Sequence, residues 1–102
     1  MKIGFCMLLW TTSVGSEHRG LLEDIKATGY DGVEVPIFGG TPENYAEIAV
    51  MLDEIGLERT AISVIPTLDQ HPLSEDPADR QRSVKYLNGL VDCAAALGAQ
   101  GI

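Results

Sequence analysis

The chain has little basic charge and no run of it. Seven Lys and Arg stand against 15 Asp and Glu in 102 residues, a formal net charge of −8. A phosphate backbone needs clustered cations to neutralise it, so no nucleic acid partner is expected. Long hydrophobic runs are missing too. Nothing approaches the roughly 20 apolar residues that cross a bilayer, and no membrane partner is expected. The apolar start from Ile3 to Leu9 lacks a small-residue cleavage site and leads into Thr11-Thr12-Ser13, so it is only superficially like a signal peptide. Two cysteines, Cys6 and Cys93, cannot make a disulfide framework; the expectation is buried, reduced thiols and a cytoplasmic setting. The length allows one domain, residues 1–102.

Several catalytic signatures are also absent. There is no His-Glu-x-x-His, no cysteine pair at zinc spacing and no dense acidic calcium loop. Phe38-Gly39-Gly40 has too few glycines for a phosphate cradle, and the dinucleotide fingerprint is missing. Ser13 and Ser63 have no evident histidine partner, which leaves a hydrolase triad without support.

What is present is a repeated handover from helix to strand. Thr28-Gly29-Tyr30-Asp31-Gly32-Val33, Glu54-Ile55-Gly56-Leu57 and Ala96-Leu97-Gly98-Ala99 each place a glycine where a helix should stop. Glycine takes the left-handed conformation there without a Cβ penalty. Strands are expected from Ile3 to Leu9, Gly32 to Pro36 and Thr60 to Ile65, with a fourth beginning at Ala99-Gln100-Gly101-Ile102. Between them lie helical patterns. The first runs from about Glu17 to Thr28 with Ser16 as cap and Leu21, Leu22 and Ile25 inward. The second opens at Thr41-Pro42 and turns Tyr45, Ile48, Ala49, Leu52 and Ile55 inward; the third opens at Asp76-Pro77 with Val84, Leu87, Val91 and Ala94 inward. Strands separated by helices imply a parallel sheet. The helix-to-strand links are tight and the strand-to-helix loops long, so one face of the scaffold is expected to carry ligands.

Three residues stand out as candidate ligand contacts. Glu34 sits between Val33 and Val35 near the loop end of a buried strand, where a carboxylate must find a salt bridge, a metal or a substrate hydroxyl. Trp10 ends the first strand and offers either an apolar wall for a sugar ring or a cap on the core. His71 lies in the longest loop as a potential donor or ordinary loop residue; His18 is a weaker candidate of the same kind. Cys6 lies within the first strand. No catalytic set and no metal set is complete.

Lys2-Ile3-Gly4-Phe5 leading to Trp10, then Ala27-Thr28-Gly29-Tyr30-Asp31-Gly32-Val33-Glu34, resemble the opening of the sugar phosphate isomerase/epimerase superfamily. This is the xylose isomerase-like barrel group that includes the D-tagatose and D-psicose 3-epimerases. Leu73-Ser74-Glu75-Asp76-Pro77-Ala78-Asp79-Arg80 with Val84-Lys85-Tyr86-Leu87 is similar to the third unit of that family. The resemblance implies an α/β fold, a (β/α)8 TIM barrel of which this chain supplies the first three β-α units and the start of strand 4. It implies a ketose 3-epimerase or related isomerase that uses Mn²⁺, Mg²⁺ or Co²⁺ and a glutamate pair to move a proton next to a carbonyl. The family's metal ligands and catalytic glutamates fall beyond Ile102, so no cofactor is expected for this chain alone and whether it is itself an enzyme is open. Trp10 and Glu34 match pocket positions by motif. Cys6 aligns with a position often aromatic in the epimerases, and Val14 replaces a second aromatic, which leaves the sugar open: hydroxypyruvate isomerase-like and inositol-converting relatives fit as well.

The expected ligand is a small-molecule sugar or sugar phosphate, and a homo-oligomer is expected. The alternative is a non-catalytic half-barrel that acts by oligomerisation or partner binding, because open strand edges and bare helix faces favour association. A DNA-repair endonuclease of the same barrel superfamily is disfavoured by the acidic balance.

Overall fold

A computed structural model describes residues 1–102. Three β-α units follow one another: β1 (Gly4–Cys6), α1 (Arg19–Thr28), β2 (Gly32–Pro36), α2 (Pro42–Ile55), β3 (Glu58–Ile62) and α3 (Pro77–Leu97). The strands form one parallel sheet in the order β1-β2-β3. Each helix stops at a glycine with positive φ, Gly29 at 111°, Gly56 at 83° and Gly98 at 69°, as the repeated handover requires. After the last of these the chain turns back along β3. The Gln100 amide donates to the Arg59 carbonyl at 3.0 Å and the Gly101 carbonyl accepts from Ala61 at 2.8 Å. These bonds lay the chain end against the free edge of β3, where a fourth strand was expected.

Helix entries follow sequence chemistry. Pro42 opens α2 behind Thr41, whose amide and hydroxyl both donate to the Asn44 side chain. Asp76 accepts from the Ala78 amide at 2.9 Å and caps α3 ahead of Pro77. The first helix departs from expectation. Ser16 does not cap it but opens a 3-10 turn, Ser16–His18, and the His18 Nδ1 accepts the Gly15 amide at 3.0 Å instead.

Three further expectations are corrected. The run from Ile3 to Leu9 is not one strand buried on both faces: β1 ends at Cys6, and Met7–Leu9 form a 3-10 turn. The amides of Trp10 and Thr11 both reach the Met7 carbonyl at 2.9 Å, closing the turn so that Met7 goes inward while Leu9 is exposed. Strand β3 begins at Glu58, two residues earlier than expected, because Gly56 delivers the Glu58 amide to the Asp31 carbonyl at 3.0 Å. It ends at Ile62, whose carbonyl takes the Ile37 amide just past the end of β2. On α3 the buried residues are Ser83, Leu90, Cys93, Ala94 and Leu97; of the four expected inward only Ala94 is buried, and Val84 and Val91 are more than half exposed.

The core lies between the sheet and the helices. Val33, Val35 and Ala61 from the strands meet Leu22 and Ile25 of α1, Ile48 and Leu52 of α2, and Leu90 and Leu97 of α3. Arg59 also points to this side. Its Nε donates to the Leu97 carbonyl at 2.7 Å and its guanidinium pairs with Asp53, so one side chain from β3 ties together the C-terminal ends of α2 and α3. A cation suits a helix C-terminus, where unpaired carbonyls concentrate negative charge.

Arg59→Met keeps the apolar stem but strands the Leu97 carbonyl, and is expected to destabilise the fold by about 2 kcal/mol in urea unfolding. Asp53→Asn removes only the more exposed half of the pair and is expected to cost under about 1 kcal/mol.

Candidate functional site

Strand alternation gives the sheet two chemically different faces. Phe5, Val33, Val35, Arg59 and Ala61 face the helices; Cys6, Glu34 and Thr60 face the other way. Pairing then aligns them, since Cys6 lies opposite Glu34 and Glu34 opposite Thr60. The three make one row across an open cavity of about 320 Å³, bordered at the strand starts by Lys2, Asp31 and Glu58 and beyond β3 by Gln100.

Electrostatics ties the row together. Burial first, and then the neighbouring Glu34 carboxylate, push the Cys6 thiol above the ordinary thiol range. Cys6 is therefore a protonated thiol at neutral pH, opposite Glu34 in the strand pairing. At the strand starts the Lys2 ammonium is bonded to Glu58, which raises its affinity for the proton.

The four expected ligand contacts separate into one pair and two isolated residues. Cys6 and Glu34 are brought together. Trp10 is not with them: its ring packs on Phe5, centroids 6.4 Å apart, and Phe5 meets Tyr30 edge-on at 5.5 Å. Phe5 belongs to the helix-facing side, so this aromatic file runs along the outer flank of β1, away from the cavity. His71 borders a different hollow, beside Asp69 and Asp79. Its Nδ1 accepts the Leu73 amide at 3.1 Å, so the neutral ring carries its proton on Nε2. His18 is used in the same way by the Gly15 amide.

Thr60 is a member of the row that the sequence did not single out. Its signal was available: it alternates with buried Ala61 as Glu34 alternates with buried Val35. A larger hollow of about 800 Å³ lies between α1, α2 and the loops before them. Its one cation, Arg19, bridges Glu54 across it, and it contains none of the expected contacts. The inner row is the candidate because it brings Cys6 and Glu34 together, although its cavity opens at the strand starts and the larger hollow lies on the strand-to-helix loops.

No group of three His, Cys, Asp or Glu side chains converges anywhere in the structure. These residues do not fit a divalent metal centre, and no step through a metal is assigned to them.

No protein-family profile matches the chain, and no curated protein matches it by sequence. Solved structures do. A protein of Anabaena variabilis described as a sugar phosphate isomerase/epimerase is 26% identical with a TM-score of 0.80, over 97% of this chain and 35% of that one. A D-allulose 3-epimerase of Methylomonas sp., solved with D-allulose, gives 22% identity and a TM-score of 0.81 over 99% of this chain and 36% of its own. A D-psicose 3-epimerase of Clostridium cellulolyticum, solved with D-tagatose, gives 19% and 0.76 over 99% and 37%. The chain thus spans little more than a third of each of these proteins, and it has the α/β fold of that part of an epimerase barrel. The resemblance read from the residues is met by the structure.

The Cys6–Glu34 contact has a chemical readout. In a Cys93→Ser background, Glu34→Gln is expected to lower the Cys6 pKa and speed alkylation by iodoacetamide at pH 8, because it removes the negative charge that disfavours the thiolate. An unchanged pH–rate curve would show that the two side chains do not interact.

Proposed function

We propose that this chain forms the first β-α units of a sugar isomerase/epimerase barrel, of the kind that shifts a proton at a carbon next to a carbonyl. The observation that carries the reading is the fold match along 97% of the chain, at a TM-score of 0.80, to a protein described as a sugar phosphate isomerase/epimerase. The inner row supports it from chemistry. A partly buried carboxylate facing the hollow of a parallel sheet is placed to accept a substrate hydroxyl. In this reading Glu34 and Cys6 contribute to binding, and the acid–base pair and any Mn²⁺, Mg²⁺ or Co²⁺ ligands come from strands that this chain does not supply. The ligand is a sugar or sugar phosphate, and the setting is cytoplasmic.

A second reading is a non-catalytic half-barrel that works by pairing with a copy of itself or with another subunit. It would cover Val84 and Val91, exposed at 58% and 55% on a flank of α3, and the unpaired outer edge of β1 with a second polypeptide.

The intact mass of the product from its native source separates the two. A mass near 30 kDa, about that of a full single-domain barrel, together with Mn²⁺-dependent epimerisation of a ketose, is the expected result. A product of the 11.0 kDa of this chain, forming oligomers and inert towards ketoses, would overturn the first reading and leave the second.

A further inference from the structure

A hollow of about 440 Å³ lies between α3 and the loops that leave β2 and β3, and it shares no lining residue with the inner row. Both walls belong to this chain, so nothing from a neighbouring unit is needed to form it. One wall is a single face of α3, where Arg82, Lys85, Gly89 and Cys93 recur at three-and-four spacing. The other is the Gly39-Gly40 turn ahead of α2, with Gln70 at the rim. A missing side chain makes the space. Gly89 stands within α3, where glycine costs a helix about 1 kcal/mol relative to alanine. A Cβ there would meet nothing within 4 Å, so no close approach requires the glycine. Cys93 lies at the floor, its Sγ 3.9 Å from the Gly40 carbonyl oxygen.

The charge here runs against that of the whole chain. The net charge is −8, yet two cations and no carboxylate line this hollow. The two cations are not equivalent. Arg82 is committed: its guanidinium pairs with Asp69 and Asp79, and its Nε donates to the Asp69 carbonyl at 3.1 Å. That braces the 3-10 turn Leu68–Gln70 against α3, and the two acids border a separate hollow. Lys85 has no ion-pair partner, so its charge goes unanswered. The rest of the lining is neutral. The Tyr86 hydroxyl donates to the Val64 carbonyl at 3.0 Å, which leaves the ring as the surface it can offer. Burial first, and then Asp92 and Glu43, push the Cys93 thiol above the ordinary thiol range, so the floor carries no thiolate at neutral pH. Mostly apolar lining with one placed polar group is the usual make-up of a small-molecule site. One free ammonium matches one negative charge; a phosphate ester brings nearly two.

We propose that this hollow binds a small monocarboxylate with a flat apolar body, an aryl acid, at Lys85. The carboxylate pairs with the Lys85 ammonium, and the ring lies in the slot left by Gly89 against Tyr86 and Leu90. Arg82 holds the Gln70 rim in place. This site stands apart from the sugar reading, and neither depends on the other.

The test is a titration of the ¹⁵N-labelled chain with benzoate and with benzyl alcohol, its uncharged counterpart, following the amides of Gly40, Gln70 and Gly89. Benzoate is expected to move all three signals to saturation and to bind roughly fivefold more tightly than the alcohol. Added salt is expected to narrow that gap. Lys85→Gln, at an exposed position, is expected to weaken benzoate by the same factor and to leave benzyl alcohol unchanged. Gly89→Leu fills the hollow while favouring the helix, and is expected to abolish both responses. The dispersion of each variant's spectrum reports that it is folded. Equal affinity for the two compounds, or unchanged benzoate affinity in Lys85→Gln, would overturn the ammonium's role and the proposal with it. Failure of benzoate to move the three amides, or a response that survives Gly89→Leu, would overturn the site.

Discussion

The glycine that ends each helix governs the arrangement of everything after it. Gly29, Gly56 and Gly98 hold positive φ, and the chain leaves each at a set angle and re-enters the sheet two or three residues later. From Gly29 the chain reaches Gly32, and from Gly56 it reaches Glu58, and these two residues pair. Because side chains alternate along a strand, a slip of one residue would exchange the two faces of the sheet. Glu34 would then enter the core and Val33 or Val35 the cavity. The helix stops therefore fix not only where strands begin but which residues can carry chemistry.

The same logic explains what was legible in the sequence. Glycine stops, proline after a cap residue and parallel order are local signals with local causes, and they appear in the structure where the residues indicate. The inward face of α3 was not legible because its apolar residues cover far more of the helix than one seam needs. Leu90, Ala94 and Leu97 share that surface with Val84, Leu87 and Val91, and periodicity cannot choose between overlapping stripes. Packing chose the stripe that meets the sheet and Arg59. The end of β1 was hidden for another reason. A run of apolar residues does not reveal that Met7 will accept two amides and turn the chain. Of the site, Glu34 was readable as a charge in an apolar strand. Alternation with Ala61 marks Thr60 too, but its alignment with Glu34 and the Arg59 tie depend on register, which single-strand patterns do not contain.

The rejected stripe has a physical consequence. A radius of gyration of 14.8 Å exceeds the roughly 12.8 Å of a compact domain of this length. The accessible surface, 6153 Å², is likewise above the roughly 5600 Å² typical of this mass. The structure is a wedge, 48 Å in its longest dimension and 25 × 23 Å across. One flank shows Val84, Leu87 and Val91 of α3, and the other the free edge of β1 with Trp10. Apolar surface and unpaired strand edges on opposite flanks are what neighbouring β-α units cover in a closed barrel. Both readings of function need that cover and differ only in whether it comes from the same polypeptide or another.

The division between the two sheet faces separates stability from binding. All the strand residues of the core, Val33, Val35 and Ala61, point to the helices, and so does Arg59, which ties two helix ends to β3. The inner wall contributes one buried apolar side chain, Pro36, which pairs with Ile62 above the row. Substitution in the row changes hydroxyl, thiol and carboxylate chemistry without opening a void in the core, so ligand preference is free to vary while the fold is retained. Gly32 is the exception that links the faces: the backbone approach of Glu58 forbids it a side chain, and the same constraint that sets the strand spacing also deepens the cavity. The chemistry of this wall is thus limited from below by backbone packing and decided above it by three side chains in one row.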